Sequence, residues 1–282
     1  MQLFSTVQEM HEYSRKQRAL GKSIGLVPTM GCLHEGHLTL MKEAKKNCDV
    51  VIASVFVNPI QFGPNEDYDA YPRQIERDAS ALEQVGVDAL FCPSVKEMYP
   101  KGYHTYIEVE NEFTNKLCGA KRPGHFRGVA TVVTKLMNIT AAEHAFFGQK
   151  DAQQVVVLSR VVADLNLPIQ IHMVPIVREP SGLAYSSRNT YLSSIEKKQA
   201  LILSQSLQKA KTAYLAGERN RECLIKVVTE TLAQEKMAVV DYVQVYTFPE
   251  LEEFSSYTGK IIIAIAVYIG KTRLIDNIIL GE

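Results

Sequence analysis

Apolar and polar positions change period along the chain, and the changes divide it into elements. Ile24, Leu26 and Val27 form a short apolar run that ends at Met30-Gly31; a stripe of Leu40, Met41, Ala44 and Cys48 at helical spacing follows, and residues 50–57 are again largely apolar. Short apolar runs on either side of a 3.6-residue period predict a βαβ unit with a glycine turn between its first strand and its helix. Upstream, Thr6 and Glu9 have the spacing of a capping box, which predicts a helix that stops near Gly21. Downstream the alternation returns: helix over 73–85, strand over 87–92, a further strand near 105–109, helix over 129–141, a short buried strand at 145–147, helix over 152–165 and strand over 169–177. Beyond that point the order changes to two helical stretches, 193–216 and 219–234, followed by strands near 239–246 and 261–269. Alternating strands and helices up to Val177 argue an α/β fold with a Rossmann-like, doubly wound parallel sheet, and the remainder a smaller α+β C-terminal domain. The expected domains are residues 1–177 and 178–282.

Three segments break the pattern. Residues 58–65 are rich in Asn, Pro and Gly and hold one amide, Gln61, between apolar neighbours. The stretch 111–128 reads as a long loop containing Lys121-Arg122-Pro123-Gly124-His125-Phe126-Arg127, and a loop of that length with basic residues favours a functional role. Residues 178–189 are polar, rich in hydroxyls and interrupted by Pro180 and Gly182, as expected of a hinge between domains.

Composition narrows the class. With 282 residues, 46% of them hydrophobic, the chain can bury two cores, and its 31 basic residues balance 31 acidic ones, so no global field favours nucleic acid or membrane. Any anion site must be local. The five cysteines are scattered and contain no CxxC, which suits a reducing cytoplasm. No signal-peptide pattern opens the chain, and the longest apolar run, 261–269, is too short to span a bilayer, so a soluble, cytoplasmic protein is expected.

The glycine turn lies at the carboxyl end of a strand and the start of a helix, where unpaired N–H groups and the macrodipole favour an anion. His34 and His37 sit there three residues apart, on one side of the first turn, each able to donate to a phosphate oxygen. A P-loop is excluded because His37-Leu38 replaces Lys-Ser/Thr, and a zincin helix needs an i, i+4 pair. The residues alone leave two readings open: an anion site, or a tight turn with two surface histidines. A second strand–glycine–helix junction follows at Gly148-Gln149-Lys150-Asp151, where Lys150 is a cation at a helix start, disfavoured unless an anion meets it.

Five motifs in one order then carry a resemblance. Pro28-Thr29-Met30-Gly31 with His34-Glu35-Gly36-His37, Phe56-Val57-Asn58-Pro59-Ile60-Gln61-Phe62, Arg122-Pro123-Gly124-His125-Phe126, Phe147-Gly148-Gln149-Lys150-Asp151 with Gln153-Gln154, and Ser186-Ser187-Arg188-Asn189 together resemble the pantothenate synthetase (pantoate–β-alanine ligase) family of the HIGH-type nucleotidyltransferases. The likeness runs from the first strand to Leu274-Ile275-Asp276-Asn277. Cys32 stands where a small residue such as Ala is common, and Tyr185 where Met or Leu often precedes the serines. The resemblance implies ATP-driven condensation of (R)-pantoate with β-alanine through a pantoyl-adenylate, with Mg²⁺, a homodimer, and a second domain that closes over the site. It assigns ATP to Met30, Gly31, Cys32, Leu33, His34, Glu35, Gly36 and His37, to Gly148, Gln149, Lys150 and Asp151, and to Val177, Tyr185, Ser186, Ser187 and Arg188. His34, His37, Lys150 and Arg188 become the catalytic set, Gln61, Gln154, Asn58 and Arg122 the residues for pantoate and β-alanine, and Asp78 the acidic position near the metal.

The chemistry agrees with these residue types. Attack of a carboxylate on the α-phosphate builds charge on the phosphoryl oxygens and the departing pyrophosphate, which His34, His37, Lys150 and Arg188 can meet. Lys150 suits the transferring phosphoryl group as a compact charge, and Arg188 offers a fork for phosphate oxygens. Pantoate presents a carboxylate and two hydroxyls, and the neutral amides Gln61 and Gln154 recognise them without quenching the nucleophile. The alternative is a cytidylyltransferase on the same scaffold, which would want a basic pocket for a phosphorylated acceptor. A nucleotide-binding regulator without chemistry would not need Lys150 and Arg188 on separate loops.

Overall fold

The structure is a computed structural model that describes residues 1–64, 66–110 and 113–281; Asn65 and Asn111, which bounded two of the loops read from the sequence, lie outside the described residues. The chain forms two compact units, Met1–Gln149 with Gln153–Pro175, and Lys150–Ala152 with Ile176–Glu282.

The first unit runs β1 (Gln2–Phe4), α1 (Val7–Ala19), β2 (Ile24–Thr29), α2 (Glu35–Asn47), β3 (Val50–Val55), α3 (Ile75–Gln84), β4 (Ala89–Phe91), α4 (Val95–Met98), α5 (Leu117–Lys121), α6 (His125–Thr140), β5 (His144–Gly148), α7 (Ala152–Asp164) and β6 (Gln170–Val174). Its six strands form one sheet in the order β1-β4-β3-β2-β5-β6, every pairing parallel. The chain steps outward from β2 through β3 and β4, then returns to the other side of β2 with β5 and β6. The reversal lies between β2 and β5, where open α/β sheets bind ligands beyond the carboxyl ends of the strands. The segments that leave these two strands begin at Met30 and Gln149.

Local sequence explains the elements. Thr6 and Glu9 form the capping box that starts α1, the Thr6 side chain accepting the Glu9 N–H. The central strands are apolar along their length because both faces are covered, and Leu40, Met41 and Ala44 of α2 join Val27, Val51 and Phe146 in one buried cluster. Burying side chains of this size is worth about 1.5–3 kcal/mol each.

The structure corrects several expectations. Residues 105–109 form no strand: the Ile107 N–H donates to Thr131 Oγ1 of α6, and the Val109 carbonyl accepts from Thr114 Oγ1, so side chains satisfy this backbone instead of a sheet edge. The long basic loop carries α5 and the first turn of α6, because Gly124 takes a left-handed φ of 78° and lets the helix begin at His125. Strand β1 and, in the second unit, the strand Thr272–Leu280 were not anticipated.

The second unit comprises α8 (Ser194–Gln199), α9 (Leu201–Leu215), α10 (Arg221–Leu232), β7 (Ala238–Thr247), β8 (Ile261–Ile269) and β9 (Thr272–Leu280). The helical stretch expected over 193–216 divides at Ala200 into α8 and α9. The strands make an antiparallel sheet, β7-β8-β9, and its Val245, Ile263, Ile265 and Val267 share a core with Leu203 and Leu207 of α9 and Leu224 and Val228 of α10. No helix among the described residues is long and apolar enough to cross a membrane.

Candidate active site

The segment after β2 is held in an unusual backbone shape. Gly31 has φ 82° and Cys32 φ 51°, both left-handed, and a Cβ on Gly31 would lie 2.9 Å from Asp78 Oδ2 and 3.0 Å from Val55 Cγ1. Asp78, on α3 and 1% exposed, holds that shape: its Oδ2 accepts the Cys32 N–H at 2.8 Å and its Oδ1 the Leu33 N–H at 2.8 Å. From below, Thr29 Oγ1 donates to the Ser54 carbonyl at 2.8 Å and accepts the Gly31 N–H at 3.2 Å. Helix α2 then starts with His34 at its cap position, where the imidazole makes no capping bond of the Ser or Asp kind. The rings of His34 and His37 stack with centroids 4.0 Å apart and planes 24° from parallel. Two imidazoles thus stand together over the positive end of a helix dipole.

Gln61 lies beside this segment, its Nε2 donating to Met30 Sδ at 3.2 Å. It ends a 3₁₀ turn, Pro59–Gln61, that α6 supports from behind. His125 Nδ1 lies 2.9 Å from the Gln61 carbonyl, and a Cβ on Gly128 would come 2.4 Å from the Ile60 carbonyl oxygen and 2.6 Å from Gln61 Cα, so only glycine admits this approach. Asn58, 1% exposed, donates through Nδ2 to Gln61 Oε1 at 3.0 Å and to the Gly128 carbonyl at 3.1 Å, and accepts from the Tyr99 phenol at 2.8 Å. Asn58, grouped with the substrate residues, therefore holds Gln61 with its amide.

Arg122 is likewise engaged. Its Nε donates to Glu66 Oε1 at 2.7 Å, its Nη2 to Glu66 Oε2, and its Nη1 lies 3.0 Å from His125 Nε2. Burial alone would raise the Glu66 carboxyl, but the hydrogen bond and charge of Arg122 hold it below its ordinary value. The guanidinium expected near pantoate is committed to this ion pair. Of the adjacent glutamines on α7, Gln153 is structural: its Oε1 accepts the Cys118 N–H at 3.0 Å and its Nε2 donates to the carbonyls of Phe113 and Lys116 at 2.6 and 2.8 Å. Gln154 is half-buried.

Gln149–Asp151 is a single 3₁₀ turn leading into α7, and within the second unit the Lys150 carbonyl accepts from Asn277 Nδ2 of β9 at 3.0 Å. The preceding residue, Asp276, is 3% exposed and takes Arg178 in a two-point pair, Nη1 to Oδ2 at 2.6 Å and Nη2 to Oδ1 at 2.9 Å. The hinge segment folds on itself: the Tyr185 N–H reaches the Val177 carbonyl at 3.1 Å, Asn189 Nδ2 the Ala184 carbonyl at 3.0 Å, and Ser186 Oγ accepts the Arg188 N–H at 3.3 Å. Ser187 is buried and Arg188 half-buried.

The first unit therefore brings Met30, Cys32, Leu33, His34, His37, Asn58, Gln61 and Asp78 into one neighbourhood; Lys150, Asp151, Val177, Tyr185, Ser186, Ser187 and Arg188 belong to the second. Both Asp78 oxygens accept backbone N–H groups, and the described residues contain no cluster of three His, Cys, Asp or Glu side chains arranged for a metal. The roles of Tyr99, Gly128 and Asp276 were not read from the sequence.

A sequence model of the family described as pantoate-beta-alanine ligase matches residues 2–279. A pantothenate synthetase of Pelotomaculum thermopropionicum is 56% identical over 282 residues, the whole of both chains, and one of Carboxydothermus hydrogenoformans is 53% identical over 280 residues, 99% of each. Among solved structures, pantothenate synthetase from Thermus thermophilus superposes with a TM-score of 0.94 at 41% identity, covering 99% of each chain. A pantoate-beta-alanine ligase from Francisella tularensis, complexed with beta-gamma ATP and beta-alanine, gives a TM-score of 0.79 at 38% identity, covering 99% of this chain and 97% of that one.

Proposed function

This chain belongs to the pantoate-beta-alanine ligase family, and from that premise we propose that it condenses (R)-pantoate with β-alanine at the cost of ATP, through a pantoyl-adenylate, releasing pyrophosphate and then AMP. The observation that carries the reading is the stacked His34–His37 pair at the start of α2, beside a backbone segment that Asp78 fixes and next to the neutral amide of Gln61.

Each step has residues suited to it. Met30, Gly31, Cys32, Leu33, Glu35, Gly36, Gly148, Gln149, Asp151, Val177 and Tyr185 line the nucleotide by main chain and side chain. His34 and His37 donate to phosphate oxygens at the helix start, and Lys150 and Arg188, with Ser186 and Ser187, meet the charge that builds as the α–β phosphate bond breaks. His34 and His37 are stacked at the helix start before any substrate binds, so this pair needs little reorganisation when charge develops. Gln61 and Gln154 hold pantoate by its hydroxyl and carboxylate oxygens, leaving the carboxylate nucleophilic. Asn58 and Arg122 serve this site by fixing Gln61 and its loop. The β-alanine amine then attacks the acyl carbon of the adenylate and AMP leaves.

Mg²⁺ enters the proposal as the companion of the ATP triphosphate, since this ion keeps several waters and binds largely through substrate phosphates. A homodimeric, cytoplasmic enzyme completes it, with residues 178–282 closing over bound substrates. Family membership sets aside the cytidylyltransferase alternative.

The test is isotope exchange. With Mg²⁺, ATP and pantoate but no β-alanine, labelled pyrophosphate should enter ATP, and added β-alanine should release AMP in step with amide product. Formation of ADP and phosphate, or exchange that ignores pantoate, would overturn the reading.

A further inference from the structure

The Gln61 side chain is oriented by a chain of hydrogen bonds in which every amide has one possible orientation. The Gly128 carbonyl can only accept, so the Asn58 atom facing it is Nδ2, and the other hydrogen of that Nδ2 goes to Gln61 Oε1. The remaining Asn58 atom, Oδ1, is left for the Tyr99 phenol at 2.8 Å. At the far end, Met30 Sδ has nothing to donate, so the Gln61 atom 3.2 Å from it is Nε2. Burial raises the Tyr99 phenol above its ordinary pKa, which keeps it an O–H donor. The ring itself is packed independently of its hydroxyl, against Phe56 at 6.1 Å and Tyr103 at 5.0 Å between centroids, with the Lys135 ammonium 5.8 Å from its centre.

We propose that Tyr99 is a positioning residue that, through Asn58, holds Gln61 with its N–H₂ group presented to the oxygen atoms of the acid substrate. The inference rests on the proposed function, in which Gln61 binds pantoate. Without the phenolic hydrogen, the buried Asn58 Oδ1 has no donor and the reason for its orientation weakens. The Gly128 carbonyl still keeps Nδ2 on its own side, but an Asn58 amide bonded on that side alone can rock, and Gln61, which it holds through Oε1, no longer keeps its N–H₂ group fixed toward a substrate rich in acceptors. Selectivity for the acid thus originates two residues behind the one that touches it, on a phenol 41 positions along the chain from Asn58.

The experiment compares wild type, Tyr99→Phe, Gln61→Ala and the double variant in the pyrophosphate-exchange assay, with melting curves for each. Tyr99→Phe should raise the pantoate KM about tenfold, the scale of one hydrogen bond to a charged acceptor, while the ATP KM stays within about twofold and the protein melts cooperatively. On the Gln61→Ala background, Tyr99→Phe should add nothing, because the side chain it acts through is gone. An unchanged pantoate KM, a parallel rise in both KM values, or effects that multiply in the double variant would each overturn the inference. Should Tyr99→Phe fail to fold, Asn58→Leu removes the same link and must show the same split between the two KM values. A wild-type protein with no pantoate-dependent exchange would instead overturn the proposed function and leave this chain of bonds without a substrate to orient toward.

Discussion

Asp78 on α3 accepts the backbone N–H of Leu33 at 2.8 Å with one carboxylate oxygen while the other takes the N–H of Cys32. A carboxylate can receive both bonds; an amide cannot, since one of its two ends donates. Asp78→Asn should therefore lose one bond, set an N–H₂ against a backbone N–H, and cost about 1–3 kcal/mol of stability. It should also raise the ATP KM with little change in the Mg²⁺ concentration needed for half-maximal rate. A large rise in that Mg²⁺ requirement at unchanged ATP KM would mean that Asp78 serves the ion directly.

The two adjacent glutamines on α7 should part company. Gln153→Ala removes the acceptor of the Cys118 N–H and a donor to the carbonyls of Phe113 and Lys116, and should lower the melting temperature with substrate KM values nearly intact. Gln154→Ala should leave stability alone and raise the pantoate KM much more than the ATP KM. Measuring both parameters on both variants decides the matter, and an ATP-specific defect in Gln154→Ala would remove that residue from the acid site.

Lys150 is held by its carbonyl, which Asn277 Nδ2 grips at 3.0 Å, so the backbone there does not depend on the ammonium. Lys150→Met should fold and bind ATP while adenylate formation falls by the equivalent of about 3–4 kcal/mol of lost charge stabilisation. Single-turnover formation of the adenylate reads this directly, and near-normal turnover would exclude the ammonium from the chemical step.

Stability should also respond to acid through His172. Its Nε2 lies 2.9 Å from His144 Nδ1 and its ring stacks on Phe146 at 4.5 Å; burial, then the neighbouring His144, lower its pKa below the ordinary 6.5. The unfolded chain therefore takes up a proton that the folded ring resists. Stability is unaffected well above pH 6.5 and falls as the pH drops below it, until the folded ring also titrates. The melting temperature followed from pH 8 to pH 5 should show this decline, and His172→Gln, which keeps a polar partner for His144, should flatten part of it. Identical profiles for the two proteins would assign the acid sensitivity elsewhere.

How legible all this was depended on distance along the chain. The Thr6–Glu9 capping box, the apolar strands and the His34–His37 pair are local patterns, and the structure carries them as read. Strand β1 is three residues long and exists through its pairing with β4, more than eighty positions away, so no local signal announces it. Strand β9 contains Arg273, Asp276 and Asn277, which break an apolar pattern; Asp276 is tolerated there because Arg178, 98 residues earlier, meets it. Residues 105–109 have a strand-like composition but spend their backbone bonds on Thr131 and Thr114. The same limit applied at the candidate site: Asp78 could be named but its bonds to the backbone of the turn could not, and the bond from Tyr99 to Asn58 beside Gln61 is found only in three dimensions.

The left-handed backbone at Gly31 and Cys32 has a kinetic consequence. A cysteine at φ 51° is costly to order, and here that ordering is completed when the protein folds, by Asp78 and Thr29, rather than when a nucleotide arrives. On the proposed function this is the shape that the nucleotide meets, so the segment itself adds no conformational step to association. Nucleotide capture by this segment should then follow a single exponential in stopped flow, with a rate that climbs linearly with ATP concentration and shows no plateau.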